Sequence, residues 1–201
     1  MVKCIRNFVL ALALVTGSSL AVAEDHPAQA LVVDSISAML KVIREEGEKA
    51  KEDSQFLQAK LDELIVPNLD FDSMTKLAVS KFWRRADKDQ QQELVDEFTT
   101  LLLNTYSGAL TQYSGEAIEF DSFRPERRED RAVVRSTFVP TAGDKVSVMY
   151  KLREKGGWKI YDIEVNDISL VTSYRSAFSS EIEKGGIEGL IEVLKERNGS
   201  S

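Results

Sequence analysis

Few side chains in this sequence have the chemistry of a catalyst, and those that do are poorly spaced for it. The single histidine, His26, precedes the first helical pattern, in a stretch where chains are usually mobile. A nucleophilic triad needs a rigidly held imidazole. The single cysteine, Cys4, stands in front of an apolar run. A zinc site would therefore rest on carboxylates alone, against the usual His and Cys ligand sets, and no metal ligand or catalytic residue is assigned. Neither a P-loop nor a GxGxxG pattern is present, so nothing points to a nucleotide. Carboxylate pairs remain: Asp70 and Asp72 flank Phe71, and Asp162 and Glu164 share one face of an expected strand. Asp162 alternates with apolar residues. It is either a buried general base with a raised pKa or a structural carboxylate facing a cation such as Arg175. The stretch from Arg124 to Arg131 mixes Arg127, Arg128 and Arg131 with Glu126, Glu129 and Asp130, the pattern of a solvated hairpin tip rather than an anion site.

The elements that must position these residues begin after an export signal. Lys3 and Arg6 precede an apolar run from Phe8 to Val15, and Ala21-Val22-Ala23 has the small-x-small pattern of a cleavage site. The run is short of the roughly 20 residues that span a bilayer, so residues 1–23 read as a cleaved signal peptide and 24–201 as the folded domain. The 201-residue chain carries −7; losing Lys3 and Arg6 from its 26 cations leaves −9 against 33 carboxylates. Cleavage also removes the cysteine, so stability must come from a packed core. The acidic balance, with no aromatic-interleaved basic stripe, argues against a nucleic-acid partner and against lasting adhesion to an anionic membrane. A monomer is expected, with no heptad in view.

Helical periodicity places helices over about 27–46, 54–65 and 71–78. A longer one starts at Asp87, with Gln90 completing a capping box. Period two then takes over. Ile118 and Phe120 form a short strand, and 132–139 a longer one. Val146, Val148, Tyr150 and Leu152 make an apolar face against Lys145, Ser147, Met149 and Lys151. In the last strand Ile160 and Asp162 are expected on one side, Tyr161 and Ile163 on the other. Short connections imply antiparallel hairpins. Two helices, over about 169–184 and 186–197, are separated by Gly185-Gly186. This order reads as one α+β domain.

Two stretches carry a family resemblance. The first holds Asp70-Phe71-Asp72-Ser73-Met74, Phe82-Trp83, Gln90, Glu97-Phe98, Leu101-Leu102, Thr105-Tyr106 and Tyr113. The second holds the run from Trp158 to Val165, Ile168-Ser169-Leu170-Val171, Tyr174-Arg175-Ser176-Ala177-Phe178 and the run from Gly186 to Ile191. Together they resemble the MlaC family, the toluene-tolerance auxiliary components of an ABC transporter. The resemblance implies a non-enzymatic, periplasmic phospholipid carrier that maintains outer-membrane lipid asymmetry. Its implied partners are an inner-membrane ABC lipid transporter complex and an outer-membrane lipoprotein–porin complex. The implied fold has helices packed on a curved, mostly antiparallel sheet enclosing an apolar lipid cavity, with phospholipid as cargo and no cofactor.

On that basis the acyl cavity is expected to be lined by Leu77, Leu102, Tyr106, Leu110, Val134, Phe138, Val146, Val148, Tyr150, Ile160, Val171, Tyr174 and Phe178. Tyr174 and Arg175 are expected near the lipid head group. Ser80 and Asp167 stand where the family usually has glycine, and Met149 where an acidic residue is common. Two other readings compete: a small-ligand enzyme with Asp162 as base, and a ligand-free adaptor of membrane complexes.

Overall fold

A computed structural model describes residues 26–199, apart from 112, 114 and 141 and the side chains of 109–111. The signal-peptide segment, 1–23, lies outside the described residues. Helix α1 spans Pro27–Glu52, with Pro27 in its first turn and a kink at Glu46, beyond which the helix continues past its expected end. His26 is not in a loose stretch. Its Nδ1 accepts the Ala28 N–H at 3.2 Å, capping α1, and its ring stacks on Phe123 at 4.2 Å and meets the Trp158 edge at 5.2 Å. Helix α2, Ser54–Leu64, is capped by the Asp53 carboxylate, and a turn of 3₁₀ helix follows over Val66–Asn68. Helix α3, Phe71–Val79, is capped by Asp70. A second 3₁₀ segment, Ser80–Arg85, leads to α4, Lys88–Thr111. The Asp87–Gln90 capping box forms in both directions, at 2.9 and 3.2 Å.

The strands are β1 Ala117–Phe120, β2 Arg131–Val139, β3 Val146–Glu154, β4 Trp158–Val165 and β5 Ile168–Ser169, in sequential order and antiparallel throughout. The sheet is open. Helix α5, Leu170–Gly199, joins the two expected terminal helices, with a break at Gly186, where φ is 72°. No helix among the described residues is long and apolar enough to cross a membrane.

One register irregularity corrects the expected face of β4. Leu152 pairs with Ile160 and Lys151 with Asp162, leaving Tyr161 unpaired in a β-bulge. The extra residue reverses the alternation, so Ile160 and Ile163 share the apolar face of the sheet with Leu152 and Tyr150. Asp162 turns to the other face with Lys151.

The buried apolar residues form three clusters. One joins α3, α4 and α5 around Phe98, Met74 and Phe178. A second packs Ala28 and Val32 of α1 on Ala132, Val134, Leu152 and Ile160 of the sheet. The third holds α1 to α2 through Met39, Ile43, Leu57 and Leu61. A domain of this size usually has one contiguous core.

Residues 67–70 tie the clusters together by polar contacts. Asn68 Nδ2 donates to Ser35 Oγ at 2.8 Å and to the Leu64 carbonyl at 3.0 Å. Leu69 bridges to Ile160 in parallel, and the Asp70 N–H donates to the Ile160 carbonyl at 2.8 Å. Lys159 donates to the Pro67 carbonyl. The Asp70 carboxylate is buried; Arg153 grips it through Nε at 2.7 Å and Nη2 at 2.6 Å. Burial pushes this carboxyl up, but the hydrogen bonds from Ser73 and the Arg153 charge together outweigh it, and the pKa lies below its ordinary value.

Removing the charge from Asp70 should leave Arg153 without its partner. Asp70→Asn should cost about 3 kcal/mol at neutral pH. Because the folded pKa is depressed, this stabilisation is fully present above the unfolded value near 4 and is lost as pH falls from there through the lower folded value. Chemical denaturation at pH 7 and below pH 4 should show the gap to wild type narrowing in acid.

Both positions where the family usually has glycine take a positive φ. Ser80 ends α3 at φ 57°, ψ −124°; Asn166 and Asp167 form the β4–β5 turn at φ 47° and 64°. Ser80 is the more strained, because that region is favourable only to glycine. Ser80→Gly should stabilise by about 1 kcal/mol, after the entropy glycine loses on folding, read as a rise of about 2–4 °C in Tm.

Candidate functional site

Where the three clusters would meet there is an open cavity of about 950 Å³. Its floor is the apolar face of the sheet: Ile118 of β1, Ser136 and Phe138 of β2, Val146, Val148 and Tyr150 of β3, and Ile163 and Val165 of β4. Alternation in each strand puts these side chains on one face. The opposite wall is helical. Ile36, Met39 and Leu40 come from α1, Leu61 from α2, Phe71 and Met74 from α3, and Leu102, Leu103 and Tyr106 from α4. The few polar lining groups include Thr105, Ser107, Glu116 and Ser136. Ser136 bonds to the buried Tyr150 hydroxyl; burial nonetheless keeps that phenol above its usual range. A second, charged recess of about 690 Å³ lies at the kink of α1, and Tyr113 borders both spaces.

Six of the residues expected on the cavity wall are there: Leu102, Tyr106, Phe138, Val146, Val148 and Tyr150. The others sit elsewhere. Val134 and Ile160 lie at the end of the sheet that α1 covers, packed against Ala28 and Val32. Val171, Tyr174 and Phe178 belong to the α3–α4–α5 cluster, because α5 packs on those helices and not on the sheet floor. Leu77 is on the outside of α3, 37% exposed. The side chain of Leu110 lies outside the described residues. The wall formed by α1, α2 and α3 was absent from the expected set, although the α1 stripe of Ile36, Met39, Leu40 and Ile43 is wider than one neighbouring helix can cover.

Arg175 does not face Asp162, nor is it part of the cavity lining. Its guanidinium donates to the Leu77 carbonyl at 3.2 and 3.1 Å, finishing the C-terminal end of α3. Asp162 is instead held by Lys151 at 3.4 Å and by the Ser169 hydroxyl at 2.9 Å; the Val171 N–H approaches it at 3.4 Å. Lys151 also pairs with Glu164. Burial alone would lower the Lys151 pKa, but the two carboxylates outweigh it and raise it. The cluster fastens the start of α5 to β4, on the face of the sheet away from the cavity.

Tyr106 stands at the mouth, 44% exposed. Partial burial, with the charge and hydrogen bond of Tyr174 behind it, pushes its phenol up to about 12. Tyr174 packs edge-on against Phe98 at 5.1 Å, so the core fixes the side chain that orients Tyr106.

An open antiparallel meander and a helical wall, parted by an apolar cavity, define a single-domain α+β protein built around a hydrophobic ligand space. The chain belongs to the MlaC protein family, whose model matches residues 34–196. It is 26% identical over 160 residues to toluene tolerance protein ttg2D of Pseudomonas putida, covering 78% of this chain and 73% of that one. To the intermembrane phospholipid transport system binding protein MlaC of Haemophilus influenzae it is 22% identical over 196 residues, covering 96% and 90%. Its fold matches that of a phospholipid-binding protein from Ralstonia solanacearum, solved in complex with a phospholipid. The TM-score is 0.80 at 33% identity, over 87% of this chain and 98% of that one.

Tyr174→Phe should remove part of what raises the Tyr106 phenol. An alkaline titration followed by tyrosinate absorbance should show one midpoint near 12 in the wild type and a lower one in the variant. An unchanged curve would separate the two rings.

Proposed function

We propose that this protein is a periplasmic carrier that holds phospholipid acyl chains in the cavity between sheet and helices. It shuttles them between the outer membrane and an inner-membrane ABC transporter, and so maintains outer-membrane lipid asymmetry. The observation that carries the reading is the cavity itself: about 950 Å³ of space walled by aliphatic and aromatic side chains in the middle of the domain. This lies at the upper end of the usual range for ligand sites, about 300–1,000 Å³. The phospholipid complex of the Ralstonia relative, on the same fold, supports it. The name of the Haemophilus relative supports the transport step.

Magnitudes explain why a carrier is needed and why it binds without strong specific contacts. Two tails with roughly 30 methylenes, at about 0.8 kcal/mol each, represent on the order of 24 kcal/mol against exposure to water. Moving them from bilayer to cavity exchanges one apolar medium for another, so the net change is small and release is possible. The head group stays at the mouth, in water, beside Tyr106. No chemistry on the lipid is required, and Asp162, the carboxylate best suited to a base, is tied up on the other side of the sheet.

Organic extraction and native mass spectrometry of freshly purified protein should find diacyl lipid; repeated isolation without lipid would favour an adaptor. Val148→Glu puts a charge on the cavity floor, and Ser147→Glu puts the same charge one residue away on the opposite face. Occupancy should fall at least tenfold in the first and stay at wild-type level in the second. Equal occupancy in both would overturn the assignment of the floor.

A further inference from the structure

The cavity floor carries one polar spot that its own residues leave half satisfied. The other polar groups of the lining lie toward the surface or are spent within the protein. Thr105 and Tyr106 are exposed. The Tyr113 hydroxyl donates to the Glu116 carbonyl at 2.7 Å, and the Ser107 hydroxyl to the Asn104 carbonyl at 3.4 Å. Ser136 differs, because it lines the cavity and is only 2% exposed. Its hydroxyl meets that of Tyr150, which lines the same floor from the next strand. Ser136 pairs with Val148 and Val134 with Tyr150. The two hydroxyl residues are therefore diagonal neighbours on one face, a separation that a long side chain spans.

Each hydroxyl holds one proton to donate. Their mutual bond uses one of the two, whichever side donates, and the other is left over. Neither side chain makes a further hydrogen bond among the described residues. Covered by hydrocarbon alone, that donor would forfeit the bond it makes in water, and buried polar groups are nearly always paired. An acceptor on the cargo completes the pair. Its depth says which acceptor. Val165, at the exposed edge of the floor, pairs with Val148, and Val148 with Ser136. Ser136 thus lies two strands in from the edge, about 10 Å at roughly 4.8 Å per strand. Tyr150 belongs to the strand between. A phosphate stays in water at the rim, because a charge is far costlier to bury than a neutral acceptor. The next oxygens along a glycerophospholipid are its two acyl ester carbonyls, which are uncharged and accept only. Beyond them the tails hold no oxygen.

We propose that the Ser136–Tyr150 hydroxyl pair donates its spare proton to an acyl ester carbonyl of the bound lipid, which sets the depth of insertion and favours ester-linked over ether-linked tails. The proposal rests on the carrier reading above and deepens it. A dialkyl lipid with the same chains fills the same apolar space and lacks the carbonyl. The contact is a single neutral hydrogen bond, small beside the apolar term, so it orients and selects the lipid without preventing release.

The test is uptake by purified protein from phosphatidylglycerol vesicles, half diacyl and half dialkyl with equal chain length, with the bound lipids weighed by native mass spectrometry. One neutral hydrogen bond is worth about fivefold, so wild type should carry ester over ether lipid in about that ratio. Either hydroxyl alone keeps a proton to donate, so both are removed together. In Ser136→Ala with Tyr150→Phe the ratio should fall to about one among the lipid still carried. Ser147→Ala, on the opposite face of the sheet, should keep the wild-type ratio. Wild type that loads both lipids equally overturns the proposal, and this comparison decides even where the double variant does not fold. A folded double variant that still discriminates fivefold overturns it too. In both cases lipid-filled protein leaves the carrier reading standing. Protein that takes up neither lipid sinks the carrier reading, and the ester contact with it.

Discussion

The cavity exists because a short polar clamp holds the sheet and the helices at a fixed separation. An apolar sheet face and apolar helix stripes would otherwise close on each other until side chains met at crystal-like density. Residues 67–70 prevent this. Leu69 lies in a parallel bridge beside Ile160 of β4, where the Asp70 N–H donates to the Ile160 carbonyl as though adding a strand, while Asn68 reaches back to α1 and α2. The buried Asp70–Arg153 pair then locks the start of α3 to β3. Closing the gap would break this pair and leave a buried charge without a partner, a cost of several kcal/mol. The clamp sits at the end of the sheet where α1 already covers Ala132, Val134 and Leu152. From there the walls diverge, because Met39 and Ile43 of α1 turn to α2 instead of the sheet.

An open cavity of this kind is energetically incomplete. A sealed, empty void costs about 24 cal/mol per Å³; for about 950 Å³ that would be on the order of 20 kcal/mol, more than the whole stability of a typical domain. The cavity opens to solvent, so this is an upper bound, but the sign is clear. Hydrocarbon in the space completes contacts that Phe138, Val148, Met74 and Leu102 would otherwise lack. The apolar core is accordingly split into three clusters around this space. Each has buried members away from the cavity, such as Phe98, Val32 and Leu57, beside members that line it, such as Met74, Tyr150 and Leu61.

Sequence periodicity made most elements legible, because each helix and strand buries one face and repeats accordingly. The Asp87–Gln90 box, the Asp70 cap and the apolar face of β3 were all readable. What was not readable was depth. Val134 and Val148 point to the same face of the sheet from neighbouring strands; α1 covers Val134, and Val148 lines the cavity. Alternation says which way a side chain points, and only the crossing point of α1 says what it meets. The bulge at Tyr161 defeated alternation in β4, since one extra residue moved Ile163 onto the cavity face and Asp162 off it. Arg175 and His26 misled in another way. Their charge and aromatic character suggested ligands or loose ends, and both turned out to bond to backbone at a helix end.

Two turns with positive φ at non-glycine residues shape the chain around α3 and the sheet edge. Ser80 sits at the junction of α3 with the basic 3₁₀ segment, and Asp167 in the turn that presents Val165 and Ile168. In both places the chain must reverse with φ positive. The β4–β5 turn presents the exposed Val165 and Ile168, and Val165 lines the opening. A carrier of hydrocarbon has to meet a surface that is charged outside and greasy within, and must then leave it. Hydrocarbon held by apolar contacts alone exchanges one apolar medium for another on leaving, which is what delivery of a weakly held tail requires.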